Sequence, residues 1–149
     1  MQAGYDSYCG LYCGACGTLS ATEKGGTDAS GERCMGCKSD LLARGCKEKC
    51  RMRPCAVSRG LDSCGDCAEF PCAILLAFER DGVAHHNAVV RNLNLLRRAD
   101  KEAWLEAQRT RWSCAKCGEK LSWKQETCVR CGDGLYNSLK EARDASTTT

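Results

Sequence analysis

Residues 112–134, WSCAKCGEKLSWKQETCVRCGDG, carry the pattern on which the reading of the whole chain turns. Cys114 and Cys117 form one CxxC pair, Cys128 and Cys131 form another, and ten residues separate the two. Two residues between ligands let a single tight turn aim both sulfurs at one ion, and Gly118 and Gly132, directly after the pairs, supply the permissive backbone such turns use. The intervening segment is long enough to bring the pairs face to face. Residues 112–136 therefore read as a zinc ribbon of two short hairpins, since four exposed thiols left without metal would be a redox liability.

Eleven further cysteines lie upstream: Cys9, Cys13 and Cys16 as CxxxCxxC, then Cys34 and Cys37, Cys46 and Cys50, Cys55, Cys64 and Cys67, and Cys72. Fifteen cysteines in 149 residues is a density at which disulfides or metals replace an apolar core. With two Phe and three Trp, burial alone struggles to offset the entropy of ordering the first half. The choice between metal and disulfide depends on compartment. The opening MQAGYDSYCG has neither a basic start with an apolar run nor a small-residue cleavage site, so a cytoplasmic, reducing location is expected. The longest apolar stretch, 73–78, is too short to cross a bilayer, so no membrane partner is expected. Close pairing and an odd cysteine count both favour metal.

All fifteen cysteines are thus candidate metal ligands, with about three zinc ions as the expected complement. Eleven does not divide by four. Two four-cysteine sites leave a trio that suits zinc with a histidine as fourth ligand, or an iron cluster with one open iron, and an iron–sulfur cluster in the N-terminal domain is the alternative cofactor. His85 and His86, the only histidines, read as ordinary surface residues and stay outside the ligand set.

The formal charge of +3 counts every thiol as neutral. Twelve thiolates against three divalent ions would carry it to −3, so the basicity is no argument for nucleic acid. A basic helical region with Arg91, Arg97, Arg98, Arg109 and Arg111 near Trp104 and Trp112 keeps nucleic-acid binding as a second alternative. Asp100, Glu102 and Glu106 interrupt that face, and the Trp positions suit packing against the ribbon. Another protein is the favoured partner.

No catalytic residue is assigned. The CxxxCxxC spacing coincides with the cluster motif of radical S-adenosylmethionine enzymes, but the strand–helix alternation of their barrel is missing and Ala15 stands where an aromatic is usual. Two adjacent histidines give no Cys-His-Asp arrangement, and no glycine loop for phosphate is present.

The organisation expected is a small, mainly helical α+β chain. It comprises a cysteine-rich metal-binding domain (1–82), a helical connector (83–111), the ribbon (112–136) and a frayed polar tail (137–149). Residues 17–33 read as a loop or weak helix. Short helical turns are expected at 40–44 capped by Ser39, at 54–60 opened by Pro54, and at 72–80 behind Pro71. Val89, Val90, Leu93, Leu96, Trp104, Leu105 and Ala107 recur at three-, four- and seven-residue steps. They predict two helices, 83–98 and 101–111, with Asp100 as the N-cap of the second.

The motifs YCGLYCGAC (8–16), CMGC (34–37), KCRMRPCAVSRGLDSCGDCAEFPC (49–72) and the segment 104–132 together resemble the bacterial and archaeal cysteine-rich family catalogued as domain of unknown function 3795. The resemblance implies a presumed zinc-binding protein and adds no substrate.

Overall fold

Asp100 turns one helix into the next. Its carboxylate accepts the Ala103 N–H at 2.7 Å, which caps a helix over Lys101–Arg111 and ends the preceding one at Val89–Arg98. The computed structural model describes residues 2–147. In chain order its helices are α1 (Gly17–Glu23), α2 (Arg44–Glu48), α3 (Met52–Ser58), α4 (Ala73–Glu79), α5 (Val89–Arg98), α6 (Lys101–Arg111) and α7 (Ser138–Thr147). Short 3-10 turns occupy Cys13–Ala15, Cys64–Asp66 and Ala84–Ala88. The described residues thus form a mainly helical fold, and their β structure is confined to two isolated bridges, Ser113 with Lys120 and Thr127 with Gly134.

Two apolar clusters hold these pieces. In one, α5 presents Val89 and Leu93, both fully buried, to Leu75 of α4, Met52 of α3 and Cys9. Asn92, on the same face, donates from Nδ2 to the Gly10 carbonyl at 2.9 Å, which pins the first cysteine loop to the helix. Gly10 has φ +91°, and a Cβ there would lie 2.8 Å from Leu93 Cγ, so only glycine lets the loop approach so closely. In the other cluster, Tyr12 and Ala15 meet Trp104, Trp112, Leu121 and Leu135, with the Tyr12 and Trp104 rings edge to face at 6.3 Å. The Trp123 N–H donates to Ala15 O at 3.1 Å, and Lys120 pairs with Glu23 at 2.8 Å. The C-terminal cysteine segment and the N-terminal loop therefore share a core.

Three local expectations change. Ser39 does not cap a helix at 40–44, because its hydroxyl donates to the Gly36 and Leu41 carbonyls in a turn, and the helix starts only at Arg44. Residues 84–88 are 3-10 rather than α. The stretch expected as a frayed tail forms α7. Asn137 Oδ1 accepts the Lys140 N–H, Ser138 is buried, and Glu141 receives Arg91 at 2.8 Å and Arg111 at 2.7 Å. Those charges come from α5 and α6, some 30 and 50 residues away in sequence, which no local pattern reveals. The weak helix expected within 17–33 is α1. The loop after it is organised by the Asp28 carboxylate, which accepts from Thr18 Oγ1 and the Ser30 and Glu32 N–H groups.

Candidate metal centres

The C-terminal cysteines sit on two turns made by the same pair of hydrogen bonds. Cys114 N–H donates to Glu119 O and Gly118 N–H to Cys114 O, each at 2.8 Å; Cys128 N–H donates to Asp133 O and Gly132 N–H to Cys128 O, each at 2.9 Å. Gly118 and Gly132 take φ of +78° and +76°, the left-handed conformation each turn requires at that position. Facing each other, the turns place Cys114 Sγ 3.7 Å from Cys131 Sγ and Cys117 Sγ 3.5 Å from Cys128 Sγ. All four sulfurs lie within 4.8 Å of one another, a spacing that could hold one metal ion.

Electrostatics says the same. The Cys131 N–H points at Cys128 Sγ and, aided by Arg130 N–H against the opposing effect of burial, brings that thiol down to about 7. Cys117 also faces an N–H, from Glu119, yet burial and the neighbouring sulfurs push it up to about 12. All four sulfurs could be charged together at this spacing only around a cation.

Upstream the arrangement differs. Cys9, Cys13 and Cys16 from the first loop, Cys34 and Cys37 from the second, and Cys46 and Cys50 from α2 and the turn after it line one cavity of about 560 Å³. Its other wall is apolar, with Ile74, Ala77 and Phe78 of α4 and Trp123 of the C-terminal loop. The remaining four, Cys55, Cys64, Cys67 and Cys72, are neighbours: burial pushes Cys64 up to about 12, and the charges of Cys72, Cys55 and Cys67, and of Cys50 from the cavity, act in the same direction. Burial likewise pushes Cys9 up to about 12. Among the described residues, no other group of three or more Cys, His, Asp or Glu is drawn to within the 4.8 Å of the C-terminal four.

The upstream sulfurs nevertheless carry the same backbone device as the C-terminal turns. The N–H two residues on points at the sulfur of Cys9 (from Leu11), Cys34 (from Gly36, 3.4 Å) and Cys67 (from Glu69, 3.5 Å), as Glu119 does at Cys117 and Asp133 at Cys131. Arg53 N–H serves Cys50 at 3.4 Å, and Arg59 Nη1 reaches Cys67 at 3.3 Å. Such donors favour a charged sulfur over a protonated one.

The histidines are not the surface residues expected. His85 stacks on Trp123 at 3.9 Å with rings 7° apart, lines the thiol cavity, and buries Nδ1 without a hydrogen-bond partner. Burial holds its ring neutral, down to about 3. His86 stacks on Phe78 and directs Nδ1 to Asp81 at 2.8 Å. No sequence signal marks His85, because its partner lies 38 residues on in a segment placed by the cysteine turns. Four of the five arginines proposed for a basic face are engaged elsewhere. Arg91 and Arg111 bind Glu141, Arg109 binds Glu106, and Arg97 lies over the Phe70 ring at 5.2 Å. No described helix is long and apolar enough to cross a membrane.

No curated protein and no solved structure matches the chain. The family model described as protein of unknown function (DUF3795) matches residues 5–77, which span the whole upstream cysteine array from Cys9 to Cys72, and this cysteine-rich half of the chain belongs to that family.

Proposed function

We propose that the protein is a metal–thiolate module in which Cys114, Cys117, Cys128 and Cys131 hold one zinc ion and the eleven upstream cysteines hold further metal. The observation that carries this is the C-terminal spacing. Zinc bound to sulfur at about 2.3 Å in a tetrahedron sets its thiolates roughly 3.8 Å apart, and the facing pairs stand at 3.7 and 3.5 Å. Four protein ligands leave no position for water or substrate, so the ion would be structural and redox-silent. Its work would be to lock Trp112, Leu121 and Leu135 over Tyr12 and Trp104.

The partner this module fits best is another protein. Val129, at the tip of the second turn, is 80% exposed, and Tyr136 and Leu139 are also exposed further along the chain, while four of the five arginines a nucleic acid would need are paired or stacked. By cysteine count the simplest complement is about three zinc ions; for the upstream cysteines the wider spacing of the sulfurs favours the iron–sulfur reading instead. Elemental analysis of wild type and Cys117→Ser tests the module. The variant should hold one zinc fewer per chain, and an unchanged zinc content would overturn the C-terminal assignment.

A further inference from the structure

We propose that the seven-thiol cavity of the N-terminal half binds a polynuclear iron–sulfur cluster, with Cys9, Cys13, Cys37 and Cys50 as its thiolate ligands. This rests on the reading above that the upstream cysteines bind metal, and it specifies which metal and where.

The first argument is an internal control. One chain, folded by one set of rules, draws its C-terminal sulfurs to 3.5 and 3.7 Å across the facing pairs. It brings seven other sulfurs to a common cavity, and among the described residues no three of them are drawn together as the C-terminal four are. A single ion must touch all its ligands, so it pulls sulfurs to the closer spacing. A cube of irons and sulfides is a body in its own right, and each thiolate binds a different corner, so its ligands stand well apart. The cavity of about 560 Å³ provides volume that a lone ion has no use for.

The second argument concerns which thiols are neighbours. Cys9 has Cys37 and Cys50 as its charged neighbours, Cys13 has Cys9, Cys37 and Cys16, and Cys37 has Cys50. Cys46 is exposed at the rim, and its foremost neighbours are Cys34 and Cys16. Cys9, Cys13, Cys37 and Cys50 thus form one connected set of neighbours, whereas Cys46 meets Cys34 and Cys16 before Cys37 and Cys50. Each sulfur of the connected set also faces a backbone N–H: Leu11 for Cys9, Cys37 for Cys13, Tyr8 for Cys37 and Arg53 for Cys50. Donors of this kind spread the charge of cluster thiolates and set their potential.

The third argument is the wall opposite. Leu11, Leu19, Met52, Ile74 and Phe78 supply most of the cavity's lining that is not sulfur, with Lys49, Arg51, Asp81 and the two histidines as its polar part. Excluding water protects a cluster from hydrolysis and oxidation, whereas a closed tetrathiolate zinc gains little from such a chamber.

The full chain, purified without oxygen or chelator and, in parallel, stripped and reloaded with ferrous iron and sulfide, tests the assignment by iron, sulfide and zinc content, visible absorption and electron paramagnetic resonance after dithionite. About four iron and four sulfide per chain in either preparation are expected, falling at least fourfold in Cys37→Ser and Cys50→Ser. Cys46→Ser should keep its iron, and Cys117→Ser should lose zinc while keeping iron. Wild-type helical circular dichroism in Cys37→Ser, with the C-terminal zinc retained, shows that the variant is folded. About three zinc with no iron in either preparation would overturn the cluster and leave the metal–thiolate reading standing. Upstream thiols that take no metal and alkylate freely would overturn both. Iron retained in Cys37→Ser but lost in Cys64→Ser would move the cluster to the other four-cysteine group and overturn the site proposed.

Discussion

The two cysteine regions solve one problem at different ranges. In the C-terminal region the four cysteines fall within 114–131, each pair rides on its own hydrogen-bonded turn, and the sulfurs converge beside core residues from the same region, Trp112, Leu121 and Leu135. In the N-terminal region the eleven cysteines are spread over 9–72, on loops and short helices whose mutual placement depends on α3, α4 and α5. The difference teaches that a mononuclear site can be written locally, while a wide multi-thiol chamber has to be assembled by tertiary packing. The C-terminal site should therefore be sensitive to its own ligands, and the N-terminal chamber to residues that touch no metal.

The largest effect expected follows from breaking the local site. Cys128→Ser removes a ligand from a centre whose binding free energy is of order ten kcal/mol. It should cost one zinc per chain, lower Tm by tens of degrees for the C-terminal transition, and red-shift Trp112 and Trp104 fluorescence, while metal bound upstream stays. Loss of the upstream metal as well would erase the distinction between the regions and show one cooperative unit joined through Tyr12 and Ala15.

Leu93→Ala reverses the design. Leu93 is fully buried against Val89, Leu75 and Met52 and abuts Gly10. Truncation should cost about 2–5 kcal/mol in chemical denaturation and reduce upstream metal occupancy, with the C-terminal zinc unaffected. Gly10→Ala attacks the same contact from the other side, through φ +91° and a Cβ 2.9 Å from Val89 O, and should reproduce the metal phenotype. Next in size is Asn92→Ala. It strips the Gly10 carbonyl of its donor inside the core at a cost of roughly 1–3 kcal/mol, read as the same upstream metal loss in weaker form.

This contrast also sets how much was legible in advance. The CxxC–Gly turns were readable because every interaction that shapes them is within six residues. The α5–α6 break was readable because Asp100 caps with its own side chain. The grouping of the upstream cysteines was not, because spacing along the chain says nothing about which loops α5 will gather. Nor was α7, since its polar residues have no apolar period and its order comes from Arg91 and Arg111 meeting Glu141. His85 escaped for the same reason, as its stacking partner Trp123 arrives with the C-terminal turns.

The smallest effect lies at the joint between the regions. Lys38 and Lys101 sit among Asp6 and Asp62, with Lys38 2.8 Å from each carboxylate and Lys101 2.7 Å from Asp62, linking the first loop to the start of α6. Burial tends to raise the Asp6 carboxyl, but the two ammonium groups more than reverse that, and hydrogen bonds from Lys101 and Lys38 lower Asp62, so both lie below the usual 3.8. A carboxyl whose folded-state pKa is depressed contributes stability that is present above its unfolded value and disappears as pH falls through the folded one. The link should therefore hold at neutral pH and fail below about pH 4. Asp62 is 58% exposed and Lys101 39%, so Lys101→Met should cost no more than about 1 kcal/mol at low salt. Acid also protonates thiolates and releases metal, but that loss is common to both proteins, so the difference between wild type and Lys101→Met isolates the ion pair. The difference should fall away as pH drops below 3.8 and through the depressed carboxyl values, and shrink in about 1 M salt; a difference that persists under both conditions would mean that Lys101 acts through its methylene stem, packed at the joint, and not through its charge.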